Sequence, residues 1–324
     1  MIRTMNLAFT VELARFGPET SHRPFSLAEA RSYCSRLART HYENFTVASF
    51  LLPRRLVQHF HNVYAYCRWA DDLADEAGGG AHALALLNWW KQELIRCYED
   101  EPCHPVMVAL QETIHQFHIP RDPFVDLLFA FEQDQLVKRY QTYEQLLGYC
   151  RYSANPVGRL VLYLCEAHTE ENSALSDYIC TALQLANFWQ DVARDFDIDR
   201  VYLPEEDRRQ FSYGDADLER RRFTPAFVDL LRFEVERTRD LFYRGMPLVE
   251  RMTPDVRLDI ELFIQGGVAI LRKIERVGYN VWQTRPALSK WDKVRLLAGA
   301  SARRWLRGNS PQRHEEHKEE KLRR

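Results

Sequence analysis

Glycine and proline are scarce in this chain, 13 and 14 of 324 residues, so few turns can interrupt regular structure and a hairpin-rich β fold is excluded. No apolar run reaches the roughly 18 residues that a membrane-crossing helix needs, which leaves peripheral contact as the only expected relation to a membrane. Neither sign of charge dominates: 44 Lys and Arg stand against 46 Asp and Glu, so the chain has no field that would draw in nucleic acid. Its seven cysteines, at 34, 67, 97, 103, 150, 165 and 180, include no C-x-x-C pair. An odd set without paired spacing predicts the reduced thiols of a cytoplasmic protein. The N-terminal stretch develops no signal-type apolar core, because Glu12, Arg15 and Gly17 interrupt it. G-x-G-x-x-G, H-E-x-x-H and G-x-S-x-G are also missing, and no nicotinamide cofactor is expected.

What is present is helical periodicity. With 46% hydrophobic and 28% charged residues, the chain has the composition of an ordinary folded protein, and an all-α, single-domain fold is predicted over residues 26–307. Residues 1–25 read as an N-terminal extension, and the almost apolar-free stretch 308–324 as a disordered charged tail. Ser26 and Glu29 form a capping box, Pro53 opens the next long helix, and the triplet Gly78, Gly79, Gly80 ends it. Further helices are predicted over 82–100, 104–117, 122–138, 141–154, 156–167, 172–196, 224–248 and 254–277, with a last one starting near Ser289. The charged stretches of 205–210 and 212–222 read as a solvated connection. His59, His61, His115 and His118 read as helix-surface histidines.

Two helices carry a feature that needs explaining. After Pro53, Leu56, Phe60, Val63, Cys67, Ala70 and Ala74 recur at spacings of four and three and mark a core face. Tyr64, Arg68, Asp71 and Asp75 each follow such a residue, so they form a second stripe rotated by about 100°. The helix ending near 196 repeats the device: Leu185, Phe188, Val192 and Phe196 are its apolar stripe, and Gln184, Asn187, Asp191 and Asp195 adjoin it. Paired carboxylates at i, i+4 repel, and the negative end of the helix dipole opposes them as well. One such pair reads as a solvated acidic turn. Two pairs beside the core point to shared divalent cations, and the hard oxygen ligands favour magnesium over zinc.

Four blocks then resemble a known family. H-Y-E-N-F-T-V-A-S-F-L-L-P (His41 to Pro53), V-Y-A-Y-C-R-W-A-D-D-L-A-D-E (Val63 to Glu76), Y-C-R-Y-S-A-N-P-V-G (Tyr149 to Gly158) and L-Q-L-A-N-F-W-Q-D-V-A-R-D (Leu183 to Asp195), followed by R-V-Y-L-P (Arg200 to Pro204), are similar to motifs of the squalene/phytoene synthases and stand in that family's order. The resemblance implies an isoprenoid-synthase fold around a central apolar cavity, with diphosphate bound through several magnesium ions at its mouth. By motif position, it implies that Asp71, Asp75, Asp191 and Asp195 hold magnesium with Asn187 beside them. Arg68, Gln184, Arg200 and Tyr202 would contact diphosphate or the reacting carbons, Tyr149 would present a polar ring to them, Tyr64 would line the same cleft, and His41 and Asn44 would contact substrate.

The departures narrow this further. Tyr42 and Asn44 replace small hydroxyl residues, N-F-W-Q-D-V-A-R-D replaces N-I-L-R-D-V-G-E-D, and S-A-N-P-V-G replaces V-A-G-x-V-G. Within the family, N-F-W-Q-D-V and S-A-N-P-V-G-R are similar to the hydroxysqualene synthases of the bacterial hopanoid route. That likeness implies presqualene diphosphate as substrate, water as its partner, and coupling to neighbouring squalene-pathway enzymes. A head-to-head synthase joining two prenyl diphosphates would share every aspartate and remains the alternative. A non-catalytic relative is a further one, although it would have no use for both acidic pairs.

Overall fold

Ser26 caps its helix as the spacing to Glu29 requires: the Glu29 carboxylate accepts from the Ser26 N–H at 2.9 Å, and Ser26 Oγ accepts from the Glu29 N–H at 3.3 Å. The same logic opens later helices, where Thr142, Thr169 and Thr224 each accept a backbone N–H three residues on. The computed structural model describes residues 7–20, 24–40, 52–289, 291–292 and 294–299. His41, Asn44 and the 308–324 tail lie outside the described residues.

Among the described residues the fold is all-α with no sheet; residues 291–292 and 294–299 are helical, and fourteen helices precede them. In order they are α1 (Leu7–Phe16), α2 (Leu27–Thr40), α3 (Arg54–Asp75), α4 (Gly80–Tyr98), α5 (Pro105–Phe117), α6 (Asp122–Asp134), α7 (Tyr143–Ser153) and α8 (Asn155–Leu164), then α9 (Glu170–Asp197), α10 (Glu205–Gln210), α11 (Asp215–Glu219), α12 (Pro225–Gly245), α13 (Leu248–Arg251) and α14 (Arg257–Arg276). Two long helices organise the rest. α3 packs against α2, α4, α5, α6 and α8, and α9 against α7, α8, α12, α13 and α14.

The predicted apolar stripes face the core: Leu56, Val63, Ala70 and Ala74 of α3 and Leu185, Phe188 and Val192 of α9 are buried. Fully buried Trp69 of α3 and Trp90 of α4 stack at 5.3 Å, and buried Trp189 donates from Nε1 to Thr238 Oγ1 of α12 at 2.8 Å. Within the stretch read as an extension, Phe9 and Phe16 of α1 are buried in the same core. All seven cysteines are unpaired, and four of them are buried. Among the described residues no helix is long and apolar enough to cross a membrane.

Three readings need correction. α6 stops at Asp134 rather than 138, because residues 138–141 are extended and accept hydrogen bonds from another segment. Val201 N–H donates to the Lys138 carbonyl at 2.8 Å, and the N–H groups of Glu205 and Glu206 donate to the Tyr140 and Gln141 carbonyls at 3.0 Å each. The charged run after Pro204 is not a plain solvated connection but α10 and α11. Its Asp207 is buried against Arg237 of α12 at 2.6 Å, and Arg208 is buried while pairing with Asp215 at 2.7 Å. Charges that look solvated in sequence are buried here because each meets a partner. His59 is not on the surface: it is buried, with Nδ1 3.0 Å from Thr113 Oγ1, because α3 is covered on both sides.

Candidate active site

The C-terminal end of α3 and the C-terminal half of α9 form opposite walls of a cleft of about 270 Å³. α3 contributes Asp71 and Asp75, and α9 contributes Gln184, Asn187 and Asp195; Arg200 and Tyr202 follow α9. The floor comes from α6 and α7, through Leu127, Ala130, Phe131 and Asp134 of the first and Tyr149 and Ser153 of the second. Gln135 fixes α3 against α6 by donating to the Ala74 carbonyl at 3.1 Å and accepting from the Gly80 N–H at 3.2 Å. The extended segment 138–141 accepts main-chain bonds from Val201 and from the first turn of α10, and this pairing brings Arg200 and Tyr202 to the cleft.

Charge is concentrated and only partly neutralised. Asp71 keeps 44% of its side chain accessible, yet the surrounding protein raises its pKa to about 6, with Arg68 opposing the rise and Asp75 adding to it. Asp195 is pushed up to about 7 by burial and then by the like charge of Asp191, four residues earlier. Arg200 Nη2 lies 3.3 Å from Asp75 Oδ1 and ties the two walls together. Arg68 is spent within its own helix, with Nη1 3.1 Å from Asp71 and Nε donating to Asp72 at 3.0 Å.

Asp191 has a different neighbour. Arg285, beyond α14, holds it through two hydrogen bonds, Nε to Oδ1 at 2.5 Å and Nη2 to Oδ2 at 2.9 Å. Gln190 beside it donates to the Pro286 carbonyl.

Aromatic rings form one side of the cleft. Phe188 and Tyr202 stack at 3.7 Å with planes 9° apart, and Tyr149 lies 6.0 Å from Tyr202. Tyr149 donates from its hydroxyl to Asp134 Oδ2 at 2.9 Å. Burial pushes the Asp134 carboxyl up to about 6 against the pull of Arg200, and burial with Asp134 nearby drives the Tyr149 hydroxyl well above its usual value.

Of the predicted residues, the cleft gathers Asp71, Asp75, Asp195, Asn187 and Gln184 with Arg200, Tyr202 and Tyr149. Arg68, Tyr64 and Asp191 are not among its lining residues, and His41 and Asn44 are not described. The sequence reading missed Asp134, Ser153 and Arg285. Arg285 stands 94 positions from its carboxylate, so no local pattern could flag it. Among the described residues no three Asp, Glu, His or Cys groups converge into a ready-made metal cage. The donor set is all hard oxygen and open on the cleft side, which fits magnesium held by one or two carboxylates, waters and substrate phosphate oxygens.

The helix arrangement and this cleft fit the all-α superfamily that contains the squalene/phytoene synthases, and solved structures align over most of the chain. The family model described as squalene/phytoene synthase matches residues 38–292, and the chain belongs to that family. The crystal structure of squalene synthase HpnC from Alicyclobacillus acidocaldarius is 42% identical, covers 80% of this chain and 97% of its own, and superposes with a TM-score of 0.76. A hydroxysqualene synthase of Rhodopseudomonas palustris is 33% identical over 79% of this chain and 85% of its own length. A phytoene synthase of Arthrospira platensis is 27% identical over 86% of this chain and 95% of its own length. Catalysis of the squalene/phytoene-synthase type on a prenyl diphosphate, in a magnesium-dependent family, follows from this membership.

Proposed function

We propose that this chain converts presqualene diphosphate and water to hydroxysqualene and diphosphate. The observation that carries the reading is the single cleft that sets carboxylates of α3 and α9 and the Arg200 guanidinium against an aromatic wall. The identity of 42% to the HpnC structure and of 33% to a hydroxysqualene synthase supports the choice within the family. About 270 Å³ is at the low end for ligand sites, so the cleft holds the diphosphate and the reacting carbons while the prenyl chains reach beyond it.

Magnesium bound by Asp71, Asp75, Asn187, Asp191 and Asp195 would supply Lewis-acid stabilisation of the departing diphosphate. Arg200 adds a fixed positive charge on the same side, and the Gln184 and Asn187 amides orient phosphate oxygens. Once the diphosphate leaves with its bonding electrons, a cyclopropylcarbinyl cation remains. The faces of Phe188, Tyr202 and Tyr149 stabilise it without attacking it. It opens to an allylic cation, which water captures.

The coupling of two prenyl diphosphates is the second reading, favoured by the phytoene synthase that matches 86% of the chain. Incubation of purified protein and magnesium with presqualene diphosphate or with farnesyl diphosphate, followed by mass identification of products, separates the two. Hydroxysqualene from the first and nothing from the second is the expected result; conversion of farnesyl diphosphate alone replaces this proposal with the second reading. Under the same proposal the protein works in the cytoplasm, beside neighbouring squalene-pathway enzymes and in peripheral contact with a membrane. Trp291 and Val294, 77% and 53% exposed, are large apolar side chains that such a contact would use.

A further inference from the structure

Three polar side chains interrupt the apolar floor of the cleft. Asp134 ends α6 beside Leu127, Ala130 and Phe131. Tyr149 and Ser153 are four residues apart on α7 and so share one helix face. Tyr149 satisfies only Oδ2 of Asp134. The other carboxylate oxygen, Oδ1, and the Ser153 hydroxyl oxygen are both buried with no hydrogen-bond partner among the described residues. Each such orphan is costly unless water or a ligand occupies the space beside it. Two orphans lining one cleft, an acceptor and a hydroxyl that can donate or accept, are the kind of partners a bound water needs.

We infer that Asp134 and Ser153, with Tyr149 fixing the carboxylate, hold and deprotonate the water that captures the substrate cation. This rests on the hydroxysqualene reading above and names the group that reading leaves open. In the step, a lone pair of the water oxygen forms the C–O bond to the allylic carbon, and the O–H proton passes to Asp134 Oδ1. The diphosphate has already departed with its electron pair, so nothing is oxidised or reduced and no further reactant is needed. The competing fate is loss of a proton from a carbon next to the cation, which gives a hydrocarbon.

Ser153 selects between the two outcomes. In the pattern S-A-N-P-V-G it supplies a hydroxyl, where alanine would keep the space without the group that holds water and valine would fill the space with a methyl group. A serine that served only to pack α7 would be replaceable by alanine without any change in product.

The test uses the full chain with magnesium and presqualene diphosphate in ¹⁸O-labelled water. Released diphosphate is counted, and the ratio of alcohol to hydrocarbon is read by mass spectrometry. The wild type yields labelled alcohol. Ser153→Val, Ser153→Ala and Asp134→Asn lower the alcohol made per diphosphate released by about tenfold or more, in favour of hydrocarbon, and Ser153→Thr restores it. The ratio is independent of how much protein is folded, so partial loss of any one variant leaves the result readable. Variants that all keep the wild-type ratio overturn this inference alone. A wild type that makes no alcohol sinks the hydroxysqualene reading and takes this inference with it.

Discussion

Replacing Arg285 by methionine should destabilise the metal-free protein and strengthen its binding of magnesium. Asp191 keeps only 11% of its side chain exposed, and Arg285 keeps 35%. Without the two-pronged pair, Asp191 retains only the long contact to Arg194 Nε at 3.8 Å and faces the like charge of Asp195. Breaking a fully buried pair costs about 3–5 kcal/mol, and the partial exposure of Arg285 reduces that to about 1–2 kcal/mol here. For a chain of this size, the loss corresponds to a melting temperature lower by about 2–4 °C in EDTA. Magnesium recruits the freed carboxylate, so the gap should close at saturating metal, and the affinity measured by calorimetry should rise by about 5- to 30-fold. Arg285→Lys, which keeps the charge but loses the planar fork, should fall between. An Arg285→Met protein as stable as wild type in EDTA, or one that binds magnesium no better, refutes the reasoning.

Asp71→Asn, Asp191→Asn and Asp195→Asn should each lower turnover by about 100-fold or more with unchanged circular dichroism; unaltered turnover would reject the metal role of that residue. Asp259 is 2% exposed, and neither of its oxygens has a partner among the described residues. Burial raises its pKa to about 7, so the folded state favours the protonated form, and the cost of ionising it in place builds up as pH rises from about 4 to about 7. Asp259→Asn should therefore stabilise the protein by roughly 1–3 kcal/mol more at pH 8 than at pH 4, and equal gains at both pH values in thermal melts would contradict this. A Cβ at Gly158 would lie 2.5 Å from Cys180 Sγ and still closer to Ser176 Oγ. Gly158→Val should therefore push α8 off α9, cost about 1–3 kcal/mol by denaturant titration and reduce activity; an unshifted midpoint would count against close packing there.

Both acidic helices were legible in the sequence because each is long enough for its apolar and polar stripes to repeat over several turns, as Leu56 to Ala74 and Leu185 to Phe196 do. The convergence of Asp71, Asp75 and Asp195 on one cleft was expected from that phase together with the need of two acidic pairs for shared cations and the family resemblance. Other parts were hidden for physical reasons. Asp207 and Arg208 look solvated until Arg237 and Asp215 are brought beside them. The partner of Asp191 comes from a segment 94 residues away, and nothing local marks either end. Asp134 reads as one more acid in the last turns of a helix predicted over 122–138; only the meeting of α6 with α7 turns it inward. His59 fits a surface reading until α5 covers it with Thr113.

The main-chain pairing of 138–141 with 201–206 has a consequence for how this site tolerates change. Its bonds run between N–H and carbonyl groups, so most side-chain replacements along either strip leave it whole. Inserting or deleting one residue, or placing proline at 201, 205 or 206, would remove a donor or shift every partner by one. Arg200 and Tyr202 would then miss the cleft although neither had been altered. The loops here should accept new letters far more readily than new lengths.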